Sequence, residues 1–195
     1  CGFLREVLLR APDIAAALEA CDSQESWLAT ISALNGNFAA ITGNTDRVWV
    51  AVDRLRSIPL FYGMHEGTLV VSDRAEQVRV RVGDSAASPD ASREFLLTGY
   101  VTGPDTLFPN VKQLEAGTSL FYLTQSNPAL ERHRYFAWRH CDPSAESDDA
   151  LIDRLHEVHR NAARRLIESL AGRQVILPLS GGHDSRLIAL MLKQE

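Results

Sequence analysis

The sequence predicts an α+β domain over residues 1–143, followed by the first helix, strand, loop and helix of an α/β domain. Three observations carry this. Between residues 36 and 72 the apolar residues recur with a period of two, in short runs separated by turn residues. Between residues 148 and 172 the period lengthens to that of a helix. Beyond that helix a continuous apolar run, RQVILPLS, enters a glycine-rich turn and a second helical pattern.

Composition narrows the function classes. Of 195 residues, 45% are hydrophobic and 23% charged, the range of an ordinary globular chain with a sizeable core. The net charge of −5 gives no basic footprint, so no nucleic-acid partner is expected. No segment approaches the ~20 apolar residues of a membrane span, so no membrane association is expected either. Cys1, Cys21 and Cys141 lack metal-ligand spacing and are odd in number, which favours a reduced, cytoplasmic setting.

The elements follow in order. Residues 1–10 alternate loosely and read as a strand. Residues 13–33 read as one helix, with Pro12 suited to its start and Ile14, Leu18, Trp27 and Ile31 on its apolar positions. FAAITG, RVWVAVD, LFYG and TLVVSD are strands of an antiparallel meander, broken at Gly43-Asn44, Arg56-Ser57 and Glu66-Gly67. Phe38, Trp49, Phe61 and Tyr62 are expected to pack on its faces. A polar loop follows AEQVRVRV, and then SREFLLTGYV reads as a helix capped by Ser92. Two short β segments are joined through Pro109 and Gly117, and RHRYFAWRHCDP is a last extended piece before a linker at Pro143 and SAESDD. In the long helix beyond, Leu151, Leu155, Val158, Ala162, Leu166 and Leu170 share one face, Ser147 can cap its start and Gly172 can end it.

The chemistry is most legible in Ser180-Gly181-Gly182-His183-Asp184-Ser185. Two glycines allow a sharp turn and close backbone approach to a ligand. Consecutive N–H groups at a helix start form an anion cradle, to which the hydroxyls of Ser180 and Ser185 add donors. Asp184 would repel a phosphate unless a cation such as Mg²⁺ stood between them. The stretch lacks the Gly-Lys-Ser/Thr ending of a P-loop and has no G-x-G-x-x-G. His156 and His159 share a helix face without a third partner and are expected to be solvated rather than to bind metal.

SGGHDS resembles the pyrophosphate-binding loop of the ATP-pyrophosphatase class. Together with NGNFAAI, VDRLRSIPLFYG, VVSDRAEQV, LTGYVTGPDTLFPNVKQLEAGTSLFY and YFAW, in that order, it resembles the landmarks of glutamine-dependent asparagine synthetases, from about residue 34 to the end. The resemblance implies an N-terminal glutaminase of the Ntn-hydrolase fold with antiparallel sheets and flanking helices over residues 1–143. It implies the N-terminal portion of an ATP-pyrophosphatase synthetase domain over residues 144–195. It further implies ATP and Mg²⁺ as cofactors, with Ser180, Gly181, Gly182, Asp184 and Ser185 on the pyrophosphate, Leu179 against the nucleotide, and Asp184 meeting Mg²⁺ through the pyrophosphate. The partners implied are a small-molecule carboxylate and an amine donor, glutamine or ammonia; a homodimer is compatible with the family.

The N-terminal part departs from that family. Cys1-Gly2-Phe3 resembles the family's start, in which the Cys1 thiol would be the nucleophile and its α-amine the base. The space between Cys1 and Phe38 is too short for the family's substrate loops, and no Arg-Gly-Pro loop occurs. Asn35-Gly36 is expected to be a turn rather than an oxyanion pair. Val52 stands where the family usually has arginine, and Arg56 where it has glycine. The expectation is therefore an amide-forming ligase with a shortened, degenerate glutaminase, the chain itself being an incomplete catalyst. A lactam-forming relative of the β-lactam or lasso-peptide type, or a non-catalytic scaffold, would share the same loop.

Overall fold

The computed structural model describes residues 12–124, 129–140 and 144–194. The strand expected over residues 1–10, with Cys1, and the third cysteine, Cys141, lie outside the described residues. The chain divides into two compact units, Cys1–Arg139 and His140–Glu195.

The first unit is mixed α+β with antiparallel sheets. It opens with α1 (Pro12–Glu19) and α2 (Gln24–Ala33). A single helix was expected here. Ser23 divides it: its side chain accepts the Ser26 amide while the Ser26 side chain returns to the Ser23 amide, a reciprocal cap that starts a new helix. Strands β1 (Ala39–Gly43), β2 (Arg47–Val52), β6 (Thr118–Leu123) and β7 (Ala129–Arg134) form one sheet in the order β1-β2-β6-β7. Strands β3 (Phe61–His65), β4 (Thr68–Ser72) and the short β5 (Lys112–Gln113) form a second, in the order β4-β3-β5. The expected meander is thus two hairpins in separate sheets. β2 takes β6 as its second neighbour, with Val50 opposite Leu120, and β3 takes β5. Period-two patterning identifies strands but carries no information about which edges meet.

Alternation along the strands then fixes the layers. Ala40, Trp49, Ala51 and Phe121 pack with Leu18, Cys21, Trp27 and Ile31 of the helical segment. The opposite face, with Ala39, Val50, Val52 and Leu120, packs against Tyr62 of β3, Leu60 and Leu114. Gly63 faces away from that interior toward α3 (Ala75–Val82), where a Cβ would lie 2.7 Å from Val82 Cγ1 and 2.5 Å from the Asn110 carbonyl oxygen. The order is helix, sheet, sheet, helix. Close approach of α3 to β3 therefore requires glycine at position 63.

Several polar groups inside these layers are paired across elements, although the Trp49 Nε1–H is buried without a hydrogen-bond partner. Trp27 Nε1 donates to Ser119 Oγ at 2.8 Å, and Ser119 Oγ donates to the Val50 carbonyl at 2.8 Å. One hydroxyl thus ties α2, β6 and β2 together. Arg47 reaches from β2 to the Cys21 and Asp22 carbonyls at 2.7 and 2.8 Å while lying 3.9 Å above the centroid of the Trp49 ring. Cys21 is buried, its thiol donating to the Ala17 carbonyl at 3.2 Å.

Helix α4 (Pro89–Thr98) starts earlier than its sequence suggests. Ser88 caps it by accepting the Ala91 amide, with Pro89 at the first helical position. Ser92, the expected cap, lies inside the first turn and donates back to the Ser88 carbonyl at 2.7 Å. A pre-organised proline start outweighs a serine one turn later.

The second unit contains α5 (Asp148–Leu170) and α6 (His183–Gln194). Ser147 caps α5 as expected, and Ala171 ends it with φ 47° ahead of Gly172. Ala163 is buried, whereas Leu155 and Val158 are exposed. The run expected as a buried parallel strand, RQVILPLS, joins no sheet among the described residues, and Ile176 is 86% exposed. A parallel strand takes its backbone hydrogen bonds from neighbouring strands, and the described residues of this unit supply none. No helix among the described residues is long and apolar enough to cross a membrane.

Replacing Ser119 with alanine removes two buried hydrogen bonds and leaves the Trp27 N–H without an acceptor. The expected cost is about 1–3 kcal/mol, read as a lower denaturant midpoint at unchanged slope. A midpoint equal to wild type would show that the relay contributes nothing.

Candidate functional site

Two regions concentrate polar groups in a way that bears on function, one in each unit. In the first, β2 runs into a tight turn at Asp53. The Asp53 side chain is buried (2% exposed) and its carboxylate accepts the amides of Phe38 (3.1 Å), Leu55 (2.8 Å) and Ser57 (3.0 Å), and the Ser57 hydroxyl at 3.2 Å. Its backbone is also engaged: its amide donates to the Phe38 carbonyl, and its carbonyl accepts the Arg56 and Gly117 amides. Gly117 in turn offers its carbonyl to the amides of Tyr135 and Phe136. A Cβ at Gly117 would lie 2.5 Å from the Phe136 oxygen, and its φ is +63°, so glycine is required on both counts. Tyr135 closes the group, its hydroxyl donating to the Val52 carbonyl at 2.7 Å. Burial first, and then the Asp53 charge, push the Tyr135 hydroxyl up to about 12.

Three residues beyond Asp53, Arg56 adopts a left-handed backbone with φ 55°. This is the position at which the resembled family has glycine, and the conformation supplies the reason: glycine reaches it without strain, while another residue gives up about 1–2 kcal/mol. The Arg56 guanidinium lies 5.3 Å from the centroid of the Phe61 ring, and its Nε–H is buried without a hydrogen-bond partner. Burial pulls its pKa below the usual guanidinium value.

In the second unit, Ser180-Gly181-Gly182 leads directly into α6, which begins at His183. Gly181 has φ 81°, the turn the two glycines were expected to make. Ser180 Oγ and Ser185 Oγ are 3.3 Å apart across the loop, and Ser185 Oγ donates to the Gly182 carbonyl at 3.4 Å. The first N–H groups of α6 have no carbonyl partner within the helix, and they start beside these hydroxyls. Asp184 stands in the first turn and also lines a cavity of about 480 Å³ between α5 and α6, shared with His159, Leu166 and Met191. Leu179 is 65% exposed just before the loop. His159 lines that cavity whereas His156 faces solvent. Among the described residues no three His, Cys, Asp or Glu side chains gather into a metal-binding group.

Asn35-Gly36, passed over as an oxyanion pair, sits in an exposed bend with Gly36 at φ 140°. Cys1 lies outside the described residues.

A family model described as a glutamine amidotransferase domain matches residues 21–136, more than half of the 195 residues. The chain belongs to the glutamine amidotransferase domain family. The matched span runs from Cys21 to Phe136 and so takes in both sheets, the Asp53 turn and the Gly117 junction. No curated protein matches the chain significantly. Within the amidotransferase domain, sequence reasoning marked VDRLRSIPLFYG as a landmark but assigned Asp53 no role. The signal was available, since an acidic residue ending an apolar strand must find donors if it is buried.

The Tyr135 shift carries a pH dependence. Its ordinary value is 10.0, so the unfolded chain loses the phenolic proton near pH 10 while the folded protein keeps it to about 12. The folded state then holds more protons, so the stability this group contributes is complete below pH 10 and falls as pH rises through that window. Tyr135→Phe is expected to cost about 1 kcal/mol at neutral pH and to make the decline of stability from pH 10 to 12 shallower than in wild type. Parallel denaturation curves with identical pH slopes would contradict this.

Proposed function

We propose that the protein is an ATP-dependent amide-forming ligase of the asparagine synthetase type. In this reading residues 1–143 are its glutamine amidotransferase domain, and residues 144–195 are the N-terminal portion of an ATP-pyrophosphatase domain. The observation that carries the reading is the order of the two parts: an amidotransferase match over 21–136, then a helix and a Ser-Gly-Gly loop at the start of a second helix. The helix–sheet–sheet–helix layering supports an Ntn-type fold for the first part.

The loop suits the pyrophosphate end of a nucleotide. The paired hydroxyls of Ser180 and Ser185, the positive φ of Gly181 and the unpaired first-turn amides of α6 offer donors to an anion. A Cβ added at Gly182 would meet nothing closer than Ser180 Oγ at 3.5 Å, so the space beside its Cα is open to a ligand. Leu179 would lie against the nucleotide, and Asp184 would face the Mg²⁺ carried by the phosphates. Bound Mg-ATP supplies adenylyl activation of a carboxylate. The amine donor is glutamine or ammonia.

Calorimetric titration of the 195-residue protein with Mg-pyrophosphate tests the loop. The double variant Ser180→Ala/Ser185→Ala should bind roughly tenfold more weakly or worse, and Asp184→Asn should lose the dependence on Mg²⁺. These side chains are largely exposed, so circular dichroism should be unchanged. Equal affinity in wild type and both variants would reject the assignment.

A further inference from the structure

The first unit contains a cavity of about 490 Å³ whose lining includes Arg56, Phe61, Phe95, Tyr100, Phe108 and Gln113. That volume falls within the range of small-molecule sites, and four aromatic rings share the wall with aliphatic residues and the polar side chains of Arg56, Asp105, Thr106 and Gln113. Its shape is held by hydrogen bonds that do not involve a ligand. The Gln113 amide donates to the Pro104 carbonyl at 2.8 Å, and its side chain donates to the Gly103 carbonyl at 2.8 Å. Glu94 accepts both the amide and the hydroxyl of Thr102, and Ser88 donates from its amide to the Leu107 carbonyl at 2.8 Å. The loop from Gly99 to Phe108 is therefore pinned to α4 and β5 around the cavity.

Arg56 is the group without a purpose in this arrangement. A buried N–H normally finds an acceptor, yet the Arg56 Nε–H has none. The one acidic side chain on the same wall, Asp105, is engaged by Lys112 at 2.8 Å and forms no ion pair with Arg56 among the described residues. The cavity thus presents a single uncompensated cation set among aromatic rings. Its left-handed backbone adds to the oddity, because a strained non-glycine residue is retained where glycine would fit better.

From this geometry we infer that the cavity is a binding site for a small aromatic monocarboxylate, with the carboxylate on the Arg56 guanidinium and the ring among Phe61, Phe95, Tyr100 and Phe108. A guanidinium matches a planar carboxylate through paired N–H donors. The four aromatic side chains on the wall favour a ring over a fully hydrated anion. The inference stands independently of the ligase reading, since it uses no residue of the Ser180–Ser185 loop.

Phenylacetate, its uncharged isostere phenylacetamide, and inorganic phosphate are the probes, each titrated into the 195-residue protein and followed by amide chemical shifts. Phenylacetate should bind saturably and shift Phe61, Tyr100, Phe108 and Gln113, with phenylacetamide and phosphate roughly tenfold weaker or worse. Arg56→Gln should lose binding to a similar degree. Arg56→Gly should lose it too while folding at least as well as wild type, because glycine suits the φ at that position. Equal binding of acid and amide, phosphate binding as tight as phenylacetate, affinity retained in Arg56→Gly, or no binding of phenylacetate would each overturn the inference.

Discussion

The Asp53 carboxylate sits at the end of β2, buried, with the amides of Phe38, Leu55 and Ser57 directed at it. A buried carboxylate is costly unless its lone pairs are filled, and here backbone donors from both sides of a turn fill them. The same residue binds β1 through the Phe38 carbonyl and the β6 entry through the Gly117 amide. Gly117 then anchors Tyr135 and Phe136, and Tyr135 returns to Val52. The two halves of the four-stranded sheet, far apart in sequence, are therefore registered at one point. Were these amides to lose their acceptor, each would carry its own desolvation penalty, and the loss would be larger than that of one ordinary hydrogen bond.

This junction lies within the matched amidotransferase domain, which gives it a functional meaning. The chain crosses from the four-stranded to the three-stranded sheet immediately after Asp53, and the turn that makes the crossing carries Arg56. Strain at Arg56, a cavity with an unpaired guanidinium and the sheet junction are thus consequences of one short segment. In the second unit the physical theme is different. A positive-φ glycine and two facing hydroxyls are set at a helix start, an arrangement that is open rather than buried and suited to an anion supplied from outside.

Much of this was legible from residue pattern. The period-two runs at FAAITG and RVWVAVD are β1 and β2, with Trp49 and Phe38 buried, and the Ser147 cap opens α5. What pattern could not show was pairing. β2 and β3 follow one another in the chain yet lie in different sheets, because pairing is decided by the Asp53 turn and not by the strands' own alternation. Local competition explains two smaller differences: Ser23 outweighs helix continuity between α1 and α2, and Ser88-Pro89 outweighs Ser92. In the loop, the Gly181 turn and the helix start at His183 follow from residue type, whereas RQVILPLS shows that apolar character does not make a strand without a neighbour. Arg56 was visible as a departure from glycine, but its unpaired Nε and the cavity around it depend on residues up to Gln113 and needed the fold.

Native-state hydrogen exchange on wild type and Asp53→Ala tests most directly whether this carboxylate holds the amidotransferase unit together. If it does, the variant loses protection at Phe38, Leu55 and Ser57 and also, in concert, at Gly117, Tyr135 and the β2–β6 amides. Loss confined to the three amides that face the carboxylate, with β2–β6 protection intact, would contradict the account.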